Sequence, residues 1–142
     1  MNPTMTKFGF PATLLKDYEH WVVLLRPAQV TLGSLVLAAK SDATAYHRLS
    51  RDAFAEQADA IADIERALAS FVGFEKINYL MLMMVDPNIH FHVIPRYSDG
   101  RSWNGIDFPD RGWPGPPDLK SGRLLSEDQI AALVAELAPV LG

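Results

Sequence analysis

The sequence predicts an α+β fold in which an antiparallel sheet carries helices on one face. Three features point to it. Trp21-Val22-Val23-Leu24-Leu25 is a β-branched, apolar run suited to a buried strand. From Asp52 to Val72, apolar residues recur at three- and four-residue spacing, as on one face of a helix. Ile89 to Ile94 alternates apolar residues with histidines, a period of two, directly after the turn-forming Asp86-Pro87-Asn88.

In chain order, Thr13 to Leu25 holds two strand-like runs, and Arg26-Pro27 ends the second because proline cannot donate to a sheet ladder. Gly33 precedes a third short strand, Ser34-Leu35-Val36-Leu37. Ser41-Asp42 and Ser50-Arg51-Asp52 supply helix N-caps. In the long helix, Phe54, Ala58, Ile61, Ile64, Leu68, Phe71 and Val72 form the apolar stripe, and Glu56, Asp59, Asp63 and Glu65 take much of the other side. Gly73 follows as a C′ residue, where positive φ favours glycine. Lys76 to Val85 reads as a fourth strand, buried on both sides and joined by a tight turn to a fifth at Ile89–Ile94, together a hairpin. Residues 98–123 are rich in glycine and proline and read as a long irregular loop, part of which packs down through Trp103, Phe108 and Trp113. Ser126-Glu127-Asp128-Gln129 is a capping box, and Ile130, Leu133, Val134 and Leu137 make one face of a terminal helix over 126–141. Neither a repeat nor a linker divides the chain, so residues 1–142 read as one domain.

Composition narrows the function classes. Hydrophobic residues make up 49% of the 142, enough for a sizeable core. Cysteine is absent, which excludes disulfides, thiolate metal sites and a cysteine nucleophile, and fits a reducing compartment. The formal charge is −4, without the basic patch of a nucleic-acid binder. The first ten residues do not resemble a signal peptide, and the longest apolar stretch, Ile77 to Val85, is far short of the ~20 residues that span a bilayer. A soluble, cytoplasmic protein with neither nucleic-acid nor membrane partners is expected.

The chemistry concentrates at Asn88-Ile89-His90-Phe91-His92. Residues two apart on a strand share a face, so His90 and His92 project together, with Asn88 beside them if the strand extends that far. Phe91 and Val93 point the other way. Neutral imidazole is a nucleophile, and its cation is a proton donor near neutral pH. One ring can attack while its neighbour serves a leaving oxygen. Two other readings stand beside this one. A histidine on a strand is often only a surface or satisfied interior residue. A His-x-His pair can also hold a metal, with a third ligand drawn from His20, His47 or Asp86.

Residues 88–96, Asn-Ile-His-Phe-His-Val-Ile-Pro-Arg, resemble the histidine-triad motif, His-φ-His-φ-His-φ-φ followed by Pro-Arg. Trp21 to Ala38 also resembles that family, with Gln29-Val30-Thr31-Leu32-Gly33-Ser34 at its characteristic turn, and the likeness spans residues 10–97. The resemblance implies a five-stranded antiparallel sheet with helices and pairing as a homodimer. It implies that His90 attacks the α-phosphorus of a nucleotide-like substrate to form a nucleotidyl-histidine that water resolves. His92 would lie against the scissile bridging oxygen, and the Asn88 carbonyl would orient the nucleophile's ring. Nucleotidyltransferases of the family often carry Gln at the last position, so His92 favours hydrolysis.

The chain departs from the pattern at several points. Asn88 replaces the first histidine, Arg26 stands where many relatives hold the ribose with Asn, and Ser34 replaces a histidine beside the nucleophile. Arg26 and Ser34 are therefore the expected nucleotide-binding residues, Arg26 by bidentate contact with phosphate. The phosphate loop is shortened to Val85-Asp86-Pro87. Arg96 reads as structural. The loop bearing Trp103 and Trp113 is expected either to cover the site or to pack on the sheet. Dinucleoside polyphosphates or adenylyl conjugates are the implied substrates, with no metal and no organic cofactor. A non-catalytic nucleotide-binding protein, a nucleotidyltransferase of the same superfamily, and an enzyme using His90 and His92 as metal ligands are the alternatives.

Overall fold

The computed structural model describes residues 2–142. In chain order the elements are α1 (Pro3–Lys7), β1 (Leu14–Asp17), β2 (Trp21–Leu25), β3 (Ala28–Gln29), β4 (Leu35–Ala39), α2 (Arg51–Phe71), β5 (Lys76–Leu80), β6 (His90–Arg96), β7 (Arg101–Trp103), β8 (Ile106–Phe108), β9 (Arg123–Leu124) and α3 (Glu127–Leu141). Five strands form one antiparallel sheet in the order β1-β2-β4-β6-β5. This is the sheet implied by the resemblance, and two of its three central strands, β2 and β4, are wholly apolar and buried.

One sheet face packs on the two long helices. Trp21, Val23, Leu25, Leu35, Leu37 and Val93 meet Ile64 and Leu68 of α2 and Leu133, Leu137 and Leu141 of α3. The long helix begins where the cap predicts, with the Ser50 hydroxyl accepting from the Ala53 N–H at 3.1 Å. It ends at Gly73, whose φ of +59 few side-chain-bearing residues adopt cheaply. At α3 the Ser126–Gln129 capping box closes reciprocally, at 2.9 and 3.1 Å.

The opposite face holds what the sequence reading left unassigned. Asn2 caps a short helix by accepting from the Met5 N–H, Pro3 sits in its first turn, and Met5 and Phe8 pack onto Val22, Leu24, Val36 and Ala38. Helices therefore lie on both faces, the two long ones together.

Two expectations are corrected here. The fourth strand does not reach Val85. It ends at Leu80 as a half-buried edge strand, not one buried on both sides. Met83 has a φ of +51, which breaks an extended run, and Met84 and Val85 are 85% and 81% exposed. The connection to β6 is thus the whole segment 81–89, not a tight turn. Nor is 98–123 irregular throughout. Asn104 and Gly105, with φ of 48 and 75, make the turn of a β7–β8 hairpin, and β9 pairs with β3. Arg96 then ties the segment beyond that hairpin to the sheet through a buried bidentate pair with Asp110, at 2.7 and 3.0 Å, and a bond to the Gly115 carbonyl.

Among the described residues, no helix is long and apolar enough to cross a membrane.

Candidate active site

Strand β6 sets the geometry. Its register places His90 opposite Ala38 and His92 opposite Val36, both on the face covered by α1, while Phe91 turns to the other face toward Trp21. The two imidazoles are buried, with ring centroids 5.3 Å apart and planes nearly perpendicular at 81°. Phe8 leans on both, 5.7 Å from His90 and 5.5 Å from His92. The period-two pattern thus translates directly into two rings on one side of one strand.

Each ring has a partner that fixes its hydrogen. His90 Nδ1 lies 2.8 Å from the Asn88 carbonyl oxygen. A carbonyl only accepts, so Nδ1 carries the hydrogen and the Nε2 lone pair is left free. His92 Nδ1 accepts from Arg26 Nε at 3.4 Å, so the neutral ring carries its hydrogen on Nε2. Burial pulls the His92 pKa down to about 4, the neighbouring Arg26 guanidinium adds to the shift, and Asp86 opposes it. His92 is therefore a neutral N–H donor at neutral pH. Burial also lowers the pKa of Arg26, which nonetheless stays a cation, and its Nη1 donates to the Ala28 carbonyl.

The rings open onto a cavity of about 270 Å³, lined by Lys7, Phe8, Arg26, Leu82, Met83, Met84, Val85, Asp86, His90 and His92. This is slightly below the roughly 300–1,000 Å³ of typical small-molecule pockets. Lys7 and Asp86 pair across it at 3.0 Å, joining α1 to the 81–89 segment.

Asn88, 4% exposed, does more than present a carbonyl. Its Oδ1 accepts from the Thr4 hydroxyl at 3.2 Å, and its Nδ2 donates to the Asp42 carbonyl at 3.3 Å. The residue that departs from the triad pattern is therefore the peg holding α1, and with it Phe8 and Lys7, over the histidines.

The structure brings Arg26, Asn88, His90 and His92 together, but not Ser34. The Ser34 side chain is fully buried, donating to the Thr31 carbonyl at 2.7 Å and accepting from the Thr31 N–H at 3.1 Å. It closes the turn before β4 and is not among the residues that line the cavity. The two tryptophans are elsewhere as well. Trp103 packs into the helix-side core and donates to Glu136, and Trp113 sits beside Arg96 and Lys76. No residue of 98–123 lines the cavity, so the loop packs on the sheet and does not cover the histidines. His20 and His47 lie outside the cavity too. Among the described residues, the side chains close enough to share one metal ion are Glu19, His20 and Glu56, and neither His90 nor His92 is among them.

Sequence reading missed Lys7, Phe8 and the Leu82–Val85 rim. Nothing local marks Lys7 or Phe8, because their place depends on α1 folding back across the sheet. The rim was visible as residues but hidden in an apolar run that resembles a strand.

No protein-family profile matches the sequence, and no curated protein matches it. Solved structures do share its fold. A histidine triad protein from Bradyrhizobium japonicum superposes with a TM-score of 0.72 at 21% identity, covering 99% of this chain and 93% of that one. A histidine triad protein from Marinobacter aquaeolei gives 0.73 at 22% identity, covering 90% and 87%. A diadenosine triphosphate hydrolase from Plasmodium falciparum gives 0.65 at 8% identity, covering 91% and 76%. Identities this low establish the likeness at the level of fold.

Proposed function

We propose that this chain, which has the histidine-triad fold, is a nucleotide hydrolase that works through a covalent histidine intermediate. The observation that carries the reading is the arrangement of His90, with Nδ1–H held by the Asn88 carbonyl and Nε2 free, beside a second imidazole in a cavity that also holds Arg26.

In the proposed reaction the Nε2 lone pair of His90 forms a bond to phosphorus, and the bond from phosphorus to the leaving atom breaks. That atom departs with the bonding pair, and the Nε2–H of His92 hydrogen-bonds to it. The His90 ring becomes cationic, and its Nδ1–H bond to the Asn88 carbonyl becomes charge-assisted just as that charge appears. Arg26 offsets the negative charge on the phosphoryl oxygens. Water then attacks phosphorus, the His90–phosphorus bond breaks, and the neutral ring returns with a nucleoside monophosphate as product. The backbone carbonyl is what this scheme needs from position 88, so asparagine in place of histidine is compatible with catalysis.

The test is a panel of AMP conjugates (a phosphoramidate, an aryl ester and diadenosine polyphosphates) offered to the wild-type chain and to His90→Asn. Release of AMP from at least one conjugate, abolished by His90→Asn in a chain that stays folded, is the expected result. Unimpaired turnover by that variant rules the mechanism out. AMP binding without hydrolysis of any conjugate favours the non-catalytic alternative.

A further inference from the structure

The charges around the histidine cavity do not all suit an anionic ligand. Among the residues that line it, Lys7 and Arg26 are cations, and Asp86 alone is an acid. A carboxylate in a site for a phosphoryl group repels what the cations attract. Asp86 is not a bystander at the mouth. Its side chain is only 16% exposed and accepts from the Lys7 ammonium at 3.0 Å. Its charge also reaches His92, where it opposes the fall in pKa. A carboxylate of the chain itself thus already occupies part of the cavity's cationic surface.

The two members of this pair belong to opposite walls. Lys7 ends α1, next to Phe8, which leans on both imidazoles. Asp86 comes from the connection between β5 and β6, a lightly packed stretch in which Leu82, Met84 and Val85 are exposed. Two residues on, Asn88 is fixed by its bonds to Thr4 and Asp42. The bond from Lys7 to Asp86 therefore draws a loose wall against a packed one, and His90 and His92 are left 2% and 7% exposed. Phosphorus has to come within about 3–3.5 Å of His90 Nε2 to react, so the walls must part. Arg26 is engaged by the Ala28 carbonyl and the His92 ring, which leaves Lys7 as the cation that changes partner most readily. Its side chain is half exposed, and an ion pair of that kind contributes little net stability. A phosphoryl group can replace the carboxylate as its acceptor.

We propose that Asp86 is a built-in competitor for the phosphate site: its carboxylate holds Lys7 and keeps segment 81–89 closed on α1 until an incoming phosphoryl group takes Lys7 over. One ion pair breaks as another forms, and the freed segment moves off the imidazoles. The inference rests on the phosphate-binding part of the proposed function and concerns the regulation of that site, not its substrate.

The test compares the wild-type chain with Asp86→Asn, which keeps the side-chain shape and removes the charge. AMP and inorganic phosphate are titrated calorimetrically. Separately, the ligand-free chains are treated with diethyl pyrocarbonate, which acylates neutral imidazole, and the modified histidines are mapped by mass spectrometry with exposed His47 as internal standard. Asp86→Asn is expected to bind AMP about five- to tenfold more tightly. Its His90 is expected to react several-fold faster relative to His47. In a Lys7→Met background, which has no ammonium to release, Asp86→Asn is expected to gain much less affinity. Unchanged or weaker AMP binding by Asp86→Asn, or an unchanged rate at His90, overturns the proposal. An equal gain in both backgrounds also overturns it, because Asp86 then acts by repulsion alone. So does failure of either form to bind AMP or phosphate. Any of these results alongside AMP release from a conjugate leaves the hydrolase reading standing. The expected results in a chain that cleaves no conjugate remove the hydrolase reading and keep the competitor.

Discussion

Replacing Asn88 with alanine separates two roles that one residue combines. The backbone carbonyl that fixes the His90 hydrogen is untouched by the substitution, whereas both side-chain bonds disappear. Those bonds, at 3.2 and 3.3 Å, are at the long end of the normal range and contribute about 0.5–1 kcal/mol each. Their loss also leaves the Thr4 hydroxyl, 1% exposed, without its acceptor, a penalty of about 1 kcal/mol. Asn88→Ala is therefore expected to lose about 2 kcal/mol of stability, read as a lower urea midpoint at unchanged slope. Turnover is expected to fall by no more than about tenfold, the equivalent of about 1.4 kcal/mol, because the nucleophile keeps its tautomer while α1 loosens. A variant of wild-type stability with turnover down more than about a hundredfold would falsify the separation, since the amide itself would then take part in the chemistry.

Other consequences follow from the same geometry. His92 titrates near pH 4 in the folded chain against 6.5 for the free side chain, so between those values the unfolded chain binds more protons. Stability should accordingly fall as pH drops from 6.5 to 4, by roughly 1–2 kcal/mol once water in the open cavity is allowed for. His92→Gln should flatten that part of a pH series of denaturation curves, and an unchanged slope would contradict the assignment. Phe8→Ala removes the ring wedged against both imidazoles and should cost roughly 2–3 kcal/mol in melting experiments, with turnover falling as well. Arg96→Met leaves Asp110, whose side chain is 1% exposed, without its buried partner and should cost roughly 3–5 kcal/mol. Trp103→Ala should destabilise by about 3 kcal/mol or more while leaving AMP affinity unchanged, since Trp103 sits in the core and not at the cavity.

The parts of the fold that were legible from sequence are those governed by local rules. Helix α2 announced itself through its apolar periodicity and Ser50 cap, although Phe54 and Ala58 of the expected stripe are exposed and Ala53, Gln57 and Ala60 are buried in their place; α3 announced itself through its capping box, and the shared face of His90 and His92 through strand periodicity. What escaped depends on distant partners. An apolar run such as Ile77 to Val85 carries no period, so a strand that stops at Leu80 and an exposed rim beyond it look alike until the positive φ of Met83 divides them. Ser34 was expected at the cavity from the resemblance alone, and its hydroxyl instead bonds within the turn to Thr31. Asn104-Gly105 is a hairpin signal that was present in the sequence, concealed by the glycine and proline around it. The contribution of α1 was not readable at all, because nothing in residues 2–8 reveals that Asn88 will grip Thr4 across 84 positions of chain.

The central claim is that His90 Nε2 becomes bonded to phosphorus. It is tested most directly by mixing the wild-type chain with a cleaved AMP conjugate, quenching within the first turnover in alkaline denaturant, and mapping the labelled peptide by mass spectrometry. An adenylyl group on His90, absent from His90→Asn and discharged when the native chain is given time to react with water, is the predicted result. Rapid turnover with no adduct on any histidine, or an adduct on His92, would contradict it.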